Sequence, residues 1–138
     1  MSAPDFYFAT NAIIRHLHDR YGREALADYF RSLGREYYRR RSASWRAGGP
    51  AAIADDWRAY FAGEPQADVE VASTERGVEL IVRVCPAIKH LRDHARNIAP
   101  CFCEQCDHTC EAMSEEAGYV FSRTGGMGSC RQTFTRRE

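Results

Sequence analysis

Gly77-Val78-Glu79-Leu80-Ile81-Val82-Arg83-Val84-Cys85-Pro86 is the stretch that decides the fold. Val78, Leu80, Val82 and Val84 recur every second residue, the period of a strand with one buried face. Pro86 cannot donate to a sheet ladder, and its fixed φ suits the first position of a helix. The chain is therefore expected to pass from strand to helix at Cys85-Pro86, with the helix running to about Arg96. Upstream, Val69 and Val71 alternate with acidic residues, and Glu75-Arg76-Gly77 reads as a turn. Residues 69–85 thus read as a hairpin.

Working toward the amino terminus, the period changes to that of helices. Phe6, Ala9, Ile13, Ile14 and Leu17 form one stripe, and Gly22 breaks it. A second helix is expected from about Arg23 to Trp45, with Leu26, Tyr29, Phe30, Leu33, Tyr37 and Tyr38 inward. Gly48-Gly49-Pro50 ends it. A third spans about Ala51 to Ala62, carrying Ile53, Trp57, Tyr60 and Phe61, and Gly63-Glu64-Pro65 follows.

Working toward the carboxy terminus, Pro100 can open a helix reaching about Ala117, with Gly118 as its stop. Tyr119-Val120-Phe121 and Gln132-Thr133-Phe134 read as two strands joined by Gly125-Gly126-Met127-Gly128. The expected class is α+β: amino-terminal helices, then a small antiparallel four-stranded sheet with two helices inserted between its hairpins. The 138 residues form one domain, with 1–64 helical and 65–138 holding the sheet and a Cys-rich site.

The formal net charge is zero, which gives no global pull toward nucleic acid or an anionic membrane. The charge is uneven. Eight Arg lie between Arg20 and Arg46, and seven carboxylates between Asp55 and Glu79. Two solvated faces are the ordinary reading; a self-complementary contact in a homodimer is the alternative. Met1 to Asp5 is short and polar, and no apolar run approaches the ~20 residues of a spanning helix. The chain is therefore expected to be cytoplasmic, where thiols stay reduced.

All six cysteines (Cys85, Cys101, Cys103, Cys106, Cys110 and Cys130) fall after residue 84, and His90, His94 and His108 fall among them. Reduced thiols grouped in this way read as ligands, nucleophiles or buried apolar residues. Cys103 and Cys106 form a C-x-x-C pair, which suits a soft metal or a redox couple. Cys103, Cys106, Cys110, Met113 and Ala117 also fall on one helical face, where Cys110 reads as core. Cys85 sits where a strand ends and a helix begins, so free amides are expected to lower its pKa. His90 is its candidate acid/base partner. Asp107 could orient an imidazole or activate water. Arg123 and the glycines Gly125, Gly126 and Gly128 could hold an anion or an oxyanion, with Cys130 directly after. The turn lacks the Lys and Ser/Thr of a phosphate-binding loop.

Cys85-Pro86, Pro100, Cys103-Glu104-Gln105-Cys106-Asp107, Phe121-Ser122-Arg123-Thr124, Gly128-Ser129-Cys130 and Phe134 together resemble the L-2-amino-thiazoline-4-carboxylic acid hydrolase family. The likeness covers the carboxy-terminal Cys-rich portion. It implies hydrolytic opening of a thiazoline at a cyclic, amidine-like carbon, with Cys85, Cys106, Asp107 and Cys130 carrying the match. Cys101, Cys110 and the Gly-Gly-Met-Gly-Ser turn depart from the family's pattern, toward a metal-binding or redox variant. A looser likeness is to the 4-vinyl-reductase-type ligand-sensing domain.

The expected function is therefore a small hydrolase acting on a carbon–nitrogen bond of a sulfur- or nitrogen-containing heterocycle. Cys85, Cys106, Cys130, Asp107 and His90 are its candidate catalytic groups, and a thiolate or metal-activated water attacks. The alternative is a binding module or thiol redox sensor. In that case Cys103, Cys106, Cys110 and His90 would hold Zn²⁺, or else Cu(I) or an iron–sulfur cluster. The expected partner is a small molecule, with neither nucleic acid nor membrane.

Overall fold

The computed structural model describes residues 3–138. A short 3₁₀ turn, Ala3–Asp5, leads into α1 (Phe6–Tyr21) and α2 (Arg23–Ser32). A π-helical turn, Leu33–Tyr37, separates α2 from α3 (Arg39–Ala62). β1 (Asp68–Ser73) and β2 (Gly77–Val84) follow, then α4 (Pro86–Asp93) and α5 (Glu104–Ala117). β3 (Tyr119–Gly126) and β4 (Ser129–Arg136) close the chain. The four strands form one antiparallel sheet in the order β1-β2-β4-β3. This is an α+β architecture, with both inserted helices between β2 and β3.

The expected continuous helix from Arg23 to Trp45 is interrupted. Tyr38 N–H reaches back five residues to Leu33 O at 3.1 Å. One extra residue in that turn rotates the helix face, as π turns do. Before it, Leu26 and Phe30 are buried against α4. After it, Trp45 is buried against the sheet. Tyr37, expected inward, is 75% exposed, and Tyr29 is exposed too. Gly34 permits the break, because a Cβ there would stand 2.7 Å from Thr109 O and 2.9 Å from Ala112 Cβ of α5.

The expected break at Gly48-Gly49-Pro50 is present as a sharp bend inside α3. Gly49 has φ 71° and ψ −159°, a conformation that ordinary residues disfavour, and Pro50 restarts the helix. In α1, Ile14 is fully buried, but Phe6 and Ile13 are exposed, so the inward stripe is narrower than the sequence suggested. The expected helix from Pro100 begins only at Glu104, and residues 100–103 form turns. The last hairpin is longer than expected, and its connecting residues are Met127 and Gly128 alone.

Two apolar clusters organise the molecule. The first lies between α3, α5 and one face of the sheet, and holds Trp45, Trp57, Leu80, Met113 and Phe134. The second lies between α1, α2, α4 and the 99–102 turn, and holds Ile14, Leu26, Leu91 and Phe102. Cys85 packs against both. The register sets what the inner sheet face presents. Val82 pairs with Cys130, Leu80 with Gln132, and Gln132 with Arg123. Side chains two apart share a face, so Cys130, Gln132 and Arg123 all point inward, where α5 passes.

Candidate functional site

At the seam between the two clusters lies a cavity of about 180 Å³. An apolar cavity of roughly 150 Å³ accepts a single aromatic ring. Tyr7, Tyr38, Trp57, Tyr60, Phe61 and Phe102 supply most of its aromatic wall. Cys85, Cys103, Cys106, Cys110 and Cys130 supply the thiols. All six cysteines are free.

Each thiol is placed by a different local device. Cys85 caps α4 from an extended conformation, and its N–H donates to Gly128 O at 2.8 Å. The amides of Ala87 and Ile88 hydrogen-bond its sulfur and favour a thiolate, but burial outweighs them. Its pKa is therefore raised, where the helix start alone was expected to lower it. Cys103 precedes α5 and accepts a hydrogen bond from Met127 N–H at 3.2 Å. Cys130 accepts one from Gln132 Nε2 at 3.5 Å, while burial pushes its thiol up.

Cys106 faces the cavity one turn along α5. Burial and the neighbouring thiols push it well above the ordinary thiol value. Cys110 is buried against the first cluster, and burial pushes it up to about 12. These thiols raise one another by charge: Cys85 is opposed by Cys103 and Cys130, and Cys106 by all four of the others. One thiolate at a time is the most such a group supports.

Asp107 does not reach the thiols as a free carboxylate. Arg123 Nε and Nη2 donate to its two oxygens at 2.6 and 2.8 Å, and Arg123 Nη1 donates to Gly125 O. This fork-to-fork pair holds the guanidinium, so Arg123 serves the cavity wall as structure and not as a free cation. The glycine turn is likewise occupied. Gly125 and Gly126 pair with Cys130 and Ser129 in the ladder, and the Met127 amide is taken by Cys103. Of the three glycines, Gly128 alone lines the cavity.

His90 is not part of the cavity wall. Its ring stacks on Phe8 at 4.9 Å and lies 4.2 Å from that of His94, with Nε2 3.8 Å from Asp5 Oδ1. Among the described residues, neither ring nitrogen of His90 has a hydrogen-bond partner, so the expected pairing with Cys85 is not present as a direct hydrogen bond. His108 also lies outside the cavity wall, with Nε2 3.9 Å from Glu104 Oε1. Of the expected ligand set, Cys103, Cys106 and Cys110 line the cavity and His90 does not. Among the described residues, no group of three or more His, Cys, Asp or Glu side chains is placed to hold a metal ion.

Sequence reading missed the helical contribution. Tyr7 enters the cavity from α1, Tyr38 from the residue just before α3, and Arg41, Trp57 and Tyr60 from α3. Burial raises the pKa of Tyr7, Tyr38 and Tyr60, which keeps all three hydroxyls protonated near neutrality. Tyr7 OH donates to Glu64 Oε1 at 2.6 Å. The signal available in sequence was the aromatic density of residues 37–61, which periodicity alone assigns to core.

No family model, curated protein or solved structure matches the chain. The site must therefore be read from its own chemistry. Three of the eight arginines between Arg20 and Arg46 form ion pairs within the chain: Arg31 with Glu111 at 2.7 Å, Arg23 with Glu104 at 3.0 Å and Arg41 with Asp56 at 2.9 Å. Among the described residues, no helix is long and apolar enough to cross a membrane.

Proposed function

We propose that the cavity binds a small ring-containing molecule and that its thiol wall opens a carbon–nitrogen bond of a cyclic, amidine-like substrate such as a thiazoline. The observation that carries this reading is the convergence of Cys85, Cys103, Cys106 and Cys130 on one aromatic-lined cavity. The carboxy-terminal resemblance to the thiazoline carboxylic acid hydrolases supports it from the sequence side.

Cys85 is the nucleophile in this reading. Two helix amides hydrogen-bond its sulfur, whereas Cys106 sits deep among other thiols. Among the described residues no imidazole lines the cavity to take the thiol proton, and the substrate supplies the need. An amidine nitrogen is itself a base, so the proton passes to the ring nitrogen as sulfur bonds to the amidine carbon. The carbon–nitrogen double bond becomes single; the amino group on that carbon then passes a proton to the ring nitrogen, which leaves as an amine while the amino lone pair forms a new carbon–nitrogen double bond. The ring is then open and held on sulfur. Water adds to the same carbon, the carbon–sulfur bond breaks, and the proton from water returns to the thiol. One water is consumed per turnover.

The raised thiol pKa values fit this order. Cys85, Cys106 and Cys130 stay neutral until a basic substrate enters, which limits their oxidation and alkylation in its absence.

The test is turnover of 2-aminothiazoline-4-carboxylate by purified protein, read by mass spectrometry as addition of one water. Wild-type conversion is expected, with a loss of roughly 100-fold or more in Cys85→Ser and near-normal rates in Cys101→Ser. Full turnover in every single Cys→Ser variant would sink the thiol reading.

A further inference from the structure

Arg41 and Trp57 line the cavity from α3, and each carries a buried donor with no acceptor: Arg41 Nη2 and Trp57 Nε1. Trp57 is only 9% exposed. The two groups are adjacent, because the guanidinium carbon stands 5.0 Å from the centroid of the Trp57 ring and 5.1 Å from that of Tyr38. Folded proteins rarely leave one such donor unpaired, and two side by side in a cavity wall call for a partner that enters the cavity.

The surroundings fix both groups. Arg41 Nε donates to Asp56 Oδ2 at 2.9 Å, which anchors the guanidinium on its Nε side. The same oxygen accepts from Trp45 Nε1 at 2.7 Å. Asp56 therefore satisfies Trp45 and leaves Trp57 without an acceptor.

We infer that Arg41 and Trp57 form an oxyanion-binding pole of the cavity and that its ligand carries a carboxylate. Two oxygens match two neighbouring unpaired donors, and a planar carboxylate suits a guanidinium. A phosphate would bring more acceptors and more charge than one half-neutralised arginine can meet. A molecule spanning the cavity has its carboxylate against Arg41 and Trp57 and its other end against the thiols. The inference deepens the proposed function by naming part of the substrate, and the pole itself contains no thiol.

The two tryptophans make the test internal. In a proton–nitrogen correlation spectrum, benzoate should move the Trp57 indole N–H and leave that of Trp45, already held by Asp56, in place. Benzamide, neutral and of the same shape, should move neither. Trp57→Phe keeps the ring and deletes the donor, and calorimetry should show benzoate bound roughly tenfold more weakly, with an unchanged circular dichroism spectrum. The pole is overturned if benzoate leaves the Trp57 resonance unmoved, if benzamide moves it equally, or if Trp57→Phe binds benzoate as tightly as wild type. The two readings fail separately. Benzoate binding without turnover of any heterocycle supports the pole and removes the reaction. Turnover without benzoate binding removes the pole alone.

Discussion

Met127 and Cys103 meet at two points: the Met127 amide donates to Cys103 Sγ at 3.2 Å, and the two sulfur atoms stand 3.9 Å apart. The β3–β4 turn is thereby tied to the residue that precedes α5. The next residue, Gly128, accepts from Cys85 N–H at 2.8 Å. Two contacts at one turn bring Cys85, Cys103 and Cys130 to the same end of the sheet.

That arrangement makes the Met127 amide a reporter on Cys103. Cys103→Ala removes its acceptor. Hydrogen exchange at Met127 should then quicken by roughly tenfold, the worth of one ordinary hydrogen bond. An unchanged rate would mean that the contact does not persist in solution.

The buried thiols give stability an alkaline limit. Burial raises Cys110 from the ordinary value of 9.0 to about 12, and Cys106 is raised as well. Below pH 9 both folded and unfolded chains keep the Cys110 proton, so stability does not depend on it. Between about pH 9 and 12 the unfolded chain releases that proton first, and stability falls as pH rises, by up to roughly 4 kcal/mol for this group. Urea midpoints measured across that window should fall, and Cys110→Ala should flatten the decline.

The Asp107–Arg123 pair is mostly buried, with side chains 24% and 18% exposed. Asp107→Asn leaves the guanidinium with a neutral partner and should cost about 1–3 kcal/mol in urea unfolding. Because both Asp107 oxygens are held by Arg123 and Asp107 is not part of the cavity wall, the turnover lost should track the fraction of protein unfolded. A large fall in turnover by fully folded Asp107→Asn protein would give Asp107 the proton-moving role that its pairing argues against.

Gly34→Ala tests the π turn. Its new Cβ would meet the Thr109 carbonyl and Ala112 of α5, both parts of a packed helix that cannot yield like a flexible side chain. A loss of about 1–3 kcal/mol is expected, together with weaker ligand binding, since Tyr38 and Arg41 follow directly.

The sheet and its inserted helices were legible because Val78 to Val84 alternate cleanly and Pro86 can only start a helix. The grouping of thiols was legible from their confinement beyond residue 84. Three things were not. The π turn depends on Gly34 meeting α5, a contact some 75 residues away that no local period encodes. The neighbours of His90 depend on where α1 packs, since Phe8 stacks on its ring. The thiol pKa values follow from depth, and the helix-start argument for Cys85 weighed its amides without the burial that overrides them. Arg41 and Trp57 escaped notice for a related reason: in sequence they are an arginine in a basic run and an aromatic on a core stripe.

The convergence of thiols can be measured without knowing any substrate. Dibromobimane fluoresces strongly once both its arms have alkylated thiols, and peptide mapping then names the pair. Native protein should give cross-links within the set Cys85, Cys103, Cys106 and Cys130, lost on denaturation before labelling. Cross-links confined to Cys101 with its sequence neighbours, or none at all in the native protein, would contradict the shared cavity on which the account stands.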